Sequence, residues 1–270
     1  MICSRSPGND QQKEEDLERL CVYKMDHPGR GVALIFNHEN FEDKSLMRRD
    51  GAEKDGQNIS ETLENFGFDV RYYKDLKSNE IEEKLSKVAK EDHSDRDCLL
   101  VAIMTYGEGD GSLHAFNSTY KEEKVWGYFV TEKVPSLGGK PKIFLFQACP
   151  VQRLESEDVD SIDSPNLRTL IIPSHADFLK IYSSEGSNSL PDSKSDSSFL
   201  LCFCKELQEY GSKADFISIL TKTLNIVKTT FPLDSKGPKS FRRMPIVTST
   251  LTRRLFLMPK SHIPCSYGER

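Results

Sequence analysis

The run Ile143-Phe-Leu-Phe-Gln-Ala-Cys149-Pro-Val151 decides how this chain of 270 residues is read. Ile143 to Phe146 are four consecutive large apolar residues with no polar alternation, which predicts a strand buried on both faces. Val32–Phe36, Phe68–Tyr72 and Leu99–Met104 have the same character. Helical patterns separate these runs. Ile59, Leu63 and Phe66 are spaced for one helix face, and so are Ile81, Leu85 and Val88, with Ser78 as the expected N-cap and Glu80, Glu82 and Glu83 in the first turn. Strands alternating with helices predict an α/β fold with a largely parallel sheet covered on both faces. Cys149 then stands at the carboxyl end of a buried strand, where open α/β sheets place their ligands. Position alone does not make it a nucleophile, because cysteine is among the most buried residue types.

The second half of the chain repeats the logic less regularly. Glu155-Ser-Glu-Asp-Val-Asp-Ser-Ile-Asp-Ser-Pro165 is acidic and without periodicity, the mark of a flexible connector. Phe178–Tyr182 is a strand candidate, followed by a Ser/Asp-rich loop over 185–198. Phe199, Leu200, Phe203, Leu207 and Tyr210 form one helical stripe, and Phe216, Ile219, Leu220, Leu224 and Val227 another. Pro245–Leu257 is a last extended run, and disorder is expected from Pro259 to Arg270.

Composition narrows the function classes. Apolar residues are 37% and charged residues 29%, values of a soluble globular protein, and the net charge of −5 with no long basic block gives no case for nucleic acid. No apolar stretch is long enough to span a bilayer, and the polar, acid-bearing N-terminus resembles no targeting peptide. A cytoplasmic location is expected. The seven cysteines, Cys3, Cys21, Cys98, Cys149, Cys202, Cys204 and Cys265, are odd in number and irregularly spaced, which fits a reducing compartment. Cys202 and Cys204 are two apart, so they do not share a helix face, and no second Cys/His pair completes a metal site. Neither a metal nor a cofactor is expected.

Gln147-Ala-Cys149 matches the start of the pattern Q-A-C-[RQG]-G of caspases, in which a histidine precedes the cysteine by about 50 residues. The resemblance extends from about Tyr23 to Phe256. Tyr23-Lys-Met-Asp is similar to the entry of the family's first strand, and Arg49-Asp-Gly-Ala-Glu-Lys-Asp55 to the segment carrying its first substrate-binding arginine. Lys90-Glu-Asp-His-Ser-Asp and Tyr106-Gly-Glu108 resemble the surroundings of the catalytic histidine. Ile172-Pro-Ser-His-Ala-Asp-Phe-Leu resembles the start of the small subunit, and Met244-Pro-Ile-Val-Thr-Ser-Thr-Leu-Thr-Arg-Arg-Leu-Phe256 the closing strand. The resemblance implies a caspase-like sandwich with a central, mostly parallel six-stranded sheet. It divides the chain into a short polar segment (1–22), a large-subunit-like region (23–151), an acidic linker (152–168), a small-subunit-like region (169–258) and a tail (259–270). From the short first segment no recruitment domain is expected, as in effector caspases.

The departures from the family pattern carry the functional expectation. Tyr106 lies 43 residues before Cys149, where the resemblance implies the histidine that takes the thiol proton and later protonates the leaving amine. An ordinary phenol has a pKa near 10 against about 6.5 for imidazole, so Tyr106 is a poor base at neutral pH. Without an imidazolium beside it, Cys149 is expected to behave as an ordinary thiol, and losing acid–base catalysis alone costs about 10²–10⁴ in rate. His114, eight residues beyond Tyr106, is the candidate for a displaced base, while His93 and His175 are expected on surface turns. Of the aspartate-binding set that the resemblance implies, Arg49 and Gln147 are retained. Leu190 and Pro191 stand where a tryptophan and a second arginine would be, and proline offers neither the guanidinium fork nor an N–H. Lys194 would supply only a point charge. Gly107 and Cys149 can still present oxyanion-hole N–H groups, although Pro150 holds Cys149 in extended backbone. Asp160 and Asp163, each followed by serine, are candidate cleavage positions in the linker. Ile246, Val247 and Leu251 are candidate dimer-interface residues on a final strand that the family pairs across a twofold axis.

The resemblance therefore implies a catalytically impaired caspase homologue, similar to the decoy caspases of mosquitoes. Such a protein would pair with a paralogous active caspase, or with itself, and regulate apoptosis, with activation of the partner the expected sign. The alternative is an active cysteine endopeptidase that uses Cys149 with a displaced base and relaxed aspartate specificity.

Overall fold

Alternation along the strands sorts the apolar residues into two cores on opposite faces of one sheet. The computed structural model describes residues 21–108, 110–150, 175–183, 198–230, 244–258 and 260. The strands are β1 (Val32–Asn37), β2 (Asp69–Lys74), β3 (Leu99–Gly107), β4 (Ser112–His114), β5 (Thr119–Lys121), β6 (Lys142–Pro150), β7 (Phe178–Ser183) and β8 (Ile246–Ser249). The helices are α1 (Ala52–Asn65), α2 (Ser78–Ala89), α3 (Glu122–Trp126), α4 (Ser198–Tyr210) and α5 (Phe216–Thr230). Ala33, Ile35, Leu100, Ala102, Met104, Ile143, Leu145, Leu179 and Ile181 pack with Ile59 and Leu63 of α1 and with the apolar stripes of α4 and α5. The intervening residues, among them Val32, Leu34, Val101, Phe144, Phe146 and Phe178, pack with Ile81, Leu85 and Val88 of α2 and with Val125 and Phe129. Period-two strands buried on both sides explain why these runs are continuously apolar.

The strand order is β2-β1-β3-β6-β7-β8, parallel throughout except that β8 runs antiparallel to β7. This is the mostly parallel α/β sheet expected from the sequence, with two three-residue strands, β4 and β5, attached to the end of β3. The strands nearest the site are longer than the apolar runs imply. β3 continues three residues past Met104, and β6 continues to Pro150, because backbone pairing between them outlasts the hydrophobic pattern. The last extended run is shorter than expected: only Ile246–Ser249 forms a strand, and Leu251 follows it, packed against the core.

Local chemistry sets the other boundaries. Gly51 caps α1 with φ of 87°, a left-handed conformation that glycine adopts without a Cβ penalty, and it turns the chain out of the Arg49 segment into the helix. Ser78 is the first residue of α2 and not its cap. Lys77 holds that position, and its N–H donates to the Glu80 carboxylate at 2.8 Å. His93 lies in the interior and not on a surface turn. Its Nε2 faces the Val88 carbonyl at 2.9 Å and its Nδ1 receives Arg96 Nη1 at 3.2 Å, so both ring nitrogens are satisfied. Lys260 is tied down within the segment expected to be disordered. Its ammonium reaches the buried Asp97 carboxylate at 2.8 Å, which also holds Arg30 at 2.9 Å and His27 at 3.0 Å.

Candidate active site

Tyr106 and Cys149 are direct neighbours in the parallel pairing of β3 with β6. Period-two alternation puts both on the same face, beside Met104 and Gln147, the pair two residues before them. Cys149 is extended, as a residue before proline is expected to be, and is 7% exposed. Both residues are enclosed by Phe41 and Leu46, which come from the loop joining β1 to α1, and the four form a small apolar cluster of their own. The Phe41 and Tyr106 rings are tilted at 40° with centroids 5.2 Å apart. This loop is pinned at its start by Asp75, whose carboxylate accepts the Glu39 N–H at 2.6 Å and the Asn40 N–H at 3.0 Å.

The phenol of Tyr106 is suited neither to accept nor to release a proton at neutral pH. Tyr106 is 1% exposed, and its Oη has no hydrogen-bond partner among the described residues. Burial pushes its pKa above the ordinary tyrosine value, negative charge on Cys149 would push it further, and Arg49 opposes the shift only in part. A neutral hydroxyl without a partner, packed on a phenylalanine, gives a thiol neither a base nor a cation.

Arg49 is buried and donates from Nη1 to the His38 carbonyl at 2.6 Å. Its backbone N–H is held by the Glu39 carbonyl at 2.9 Å, so the guanidinium is anchored beside the end of β1. Gln147 is buried on β6, two residues before Cys149. Gly107 ends β3, paired with Pro150 on one side and with Leu113 on the other. It packs so closely that a Cβ there would lie 2.7 Å from the Ala148 Cβ. The structure thus brings Arg49, Tyr106, Gly107, Gln147 and Cys149 together at the carboxyl ends of β1, β3 and β6. Leu190, Pro191, Lys194, Asp160 and Asp163 lie outside the described residues. Ile246 and Val247 lie on β8, at the end of the strand order, with Ile246 43% exposed.

The histidines near this end of the sheet are engaged elsewhere. His114 on β4 directs Nε2 to Glu108 Oε1 at 3.2 Å and presents its ring edge-on to Phe41, with centroids 6.3 Å apart. His38, which the sequence did not single out, follows β1 directly. Its Nε2 lies 3.1 Å from the Leu76 carbonyl, which can only accept, so Nε2 carries the proton and Nδ1 is the bare nitrogen. Burial lowers the His38 pKa to about 4, with the nearby Arg49 charge acting in the same direction, and keeps the imidazole neutral. Phe41 and Leu46 are also missing from the sequence reading. Their contact with Tyr106 crosses about 60 residues of chain and leaves no local periodicity to detect.

A family model described as Caspase domain matches residues 30–256. The chain is 40% identical over 253 residues to Caspase-1 of Spodoptera frugiperda, covering 89% of this chain and 83% of that protein. It is 39% identical over 259 residues to Caspase-1 of Drosophila melanogaster, covering 92% and 80%. Among solved structures, that of pro-sf-caspase-1 superposes with a TM-score of 0.78 at 38% identity, covering 88% of this chain and 94% of that one. The crystal structure of Caspase-1 from Spodoptera frugiperda gives 0.74 at 39% identity, covering 89% and 96%.

Proposed function

The chain belongs to the caspase family, and from that premise we propose that it is a pseudo-protease that regulates a related active caspase in apoptosis by pairing with it along β8. The observation that carries this reading is the residue paired with Cys149. A caspase needs an imidazole there, and this chain has a buried phenol whose pKa is raised and whose hydroxyl has no partner among the described residues. Cysteine proteolysis requires a proton acceptor for the thiol and a donor for the leaving amine, and a neutral tyrosine in an apolar cluster supplies neither. The retained Arg49 and Gln147 belong to the substrate-binding set of the family, so the chain keeps part of a peptide site without the chemistry to cut. Pairing needs only an edge strand and an apolar patch, and β8 offers both, with Met244 and Ile246 exposed. Activation of the partner follows if the pair binds its active conformation better than its inactive one. As in the mosquito decoy caspases, the folded chain and not its nucleophile would then be the effector.

The second reading, an active cysteine endopeptidase, draws on one arrangement: the Glu108–His114 pair resembles an imidazole oriented by a carboxylate. Titrating purified chain into a related active caspase tests the first reading. A rise in turnover of an aspartyl peptide that saturates near equimolar chain is expected, and no change at any ratio would remove the regulatory role.

A further inference from the structure

Lys180 sits in the middle of β7, 1% exposed, on the sheet face covered by α3. Its ammonium makes no hydrogen bond or ion pair among the described residues and instead lies 3.7 Å over the ring of Trp126. Two more unsatisfied groups lie beside it. The buried indole Nε1 of Trp126, which can only donate, has no acceptor among the described residues. The buried Oγ1 of Thr248, the residue paired with Lys180 across β7 and β8, is also without a partner among the described residues. Donor-bearing groups from α3, β7 and β8 therefore adjoin one another with no acceptor for them among the described residues. Two carboxylates lie in the neighbourhood. Glu122 Oε1 accepts from Tyr182 Oη at 3.2 Å, and Glu123 is exposed on α3. Both favour the charged ammonium, yet burial outweighs them and lowers the Lys180 pKa to about 8. A buried cation stacked on an aromatic face is only partly compensated, because the ring attracts it without satisfying its N–H groups.

We propose that Lys180, Trp126 and Thr248 form a carboxylate-binding site between α3 and the β7–β8 edge, separate from the Cys149 cluster. One carboxylate offers two acceptor oxygens, enough to take the Lys180 ammonium and either the Trp126 N–H or the Thr248 hydroxyl. The group can come from a free carboxylate or from an acidic side chain of a docked chain. The site does not depend on the pseudo-protease reading.

Trp126 is the only tryptophan of the chain, so its emission reports on this site alone. Purified full chain is titrated with acetate, and separately with a blocked peptide bearing one glutamate, at constant ionic strength. A saturable change in Trp126 emission is expected, and at least about tenfold weaker binding in Lys180→Met. Thr248→Val, which keeps the shape of the side chain and removes the hydroxyl, is expected to weaken binding as well and serves if Lys180→Met does not fold. Tighter binding of the peptide than of acetate assigns the carboxylate to a docked chain, and equal or weaker binding assigns it to a free carboxylate. No saturable change with either probe, or an unchanged response in both variants, overturns the proposal.

Discussion

Replacing Tyr106 by phenylalanine removes one oxygen from the centre of the site and leaves the ring packed against Phe41. In most buried positions the change costs stability, because a tyrosine hydroxyl has a hydrogen bond to lose. Here Oη has no partner among the described residues, while Tyr106 is 1% exposed. Leaving a buried polar group unsatisfied costs about 1–3 kcal/mol, and the cavity left by a single oxygen returns part of that gain as a penalty. The expected net effect is a stabilisation of about 1–2 kcal/mol. For a domain of this size that raises Tm by about 2–8 °C. Urea unfolding followed by circular dichroism measures it as an increase in midpoint at unchanged slope. Tyr106→His is the contrasting variant. It loses ring contact with Phe41 and Leu46 and puts two ring nitrogens into an apolar cluster, for an expected loss of about 1–3 kcal/mol. If Tyr106→Phe instead lost more than 1 kcal/mol, the hydroxyl would have a hydrogen bond, and the reasoning that makes it inert would be wrong.

Other perturbations separate the fold from the function. His38 titrates near 4 in the folded chain and near 6.5 when unfolded, so the unfolded chain binds more protons between those values. Its contribution is fully present above pH 6.5 and is lost as the pH falls to about 4, a loss of about 3 kcal/mol that His38→Gln is expected to reduce in pH-dependent urea unfolding. His93, also lowered by burial, acts with the same sign. Asp97→Asn breaks a carboxylate shared by Arg30, His27 and Lys260 and is expected to cost about 3–5 kcal/mol in the same assay. Ile246→Lys places a charge on the exposed edge strand. Folding stability is expected to change by less than about 0.5 kcal/mol, while pairing, measured by sedimentation velocity with a related caspase, is expected to weaken at least about tenfold.

The elements most readable in the sequence are those whose residues do a single job. Val32–Phe36 and Ile143–Phe146 are apolar on every residue because both faces of the sheet are covered, and the helix stripes follow the 3.6-residue period. Legibility fails where pairing continues after the hydrophobic pattern stops. Thr105, Tyr106 and Gly107 belong to β3, and Gln147 to Pro150 belong to β6, although nothing in their side chains announces a strand. β4, β5 and α3 are too short to show a period, and α3 brings Trp126 over Lys180, a charge no strand pattern would bury. His93 departs from its expected surface turn for a related reason: a polar neighbourhood in sequence encloses a ring that is fully buried in space. Of the candidate site, the placement of five residues was legible. Arg49, Tyr106, Gly107, Gln147 and Cys149 do meet at one end of the sheet, whereas the Phe41–Leu46 enclosure is a long-range contact with no local signature.

The purified chain alone, assayed for turnover of an aspartyl peptide beside its Cys149→Ala variant, tests the inertness of the Tyr106–Cys149 pair most directly. Turnover indistinguishable between the two proteins at every pH from 6 to 8.5 is expected, because the residue paired with Cys149 is a phenol whose pKa burial raises. Turnover that disappears in Cys149→Ala would contradict the pseudo-protease reading and assign the chain to the working endopeptidases.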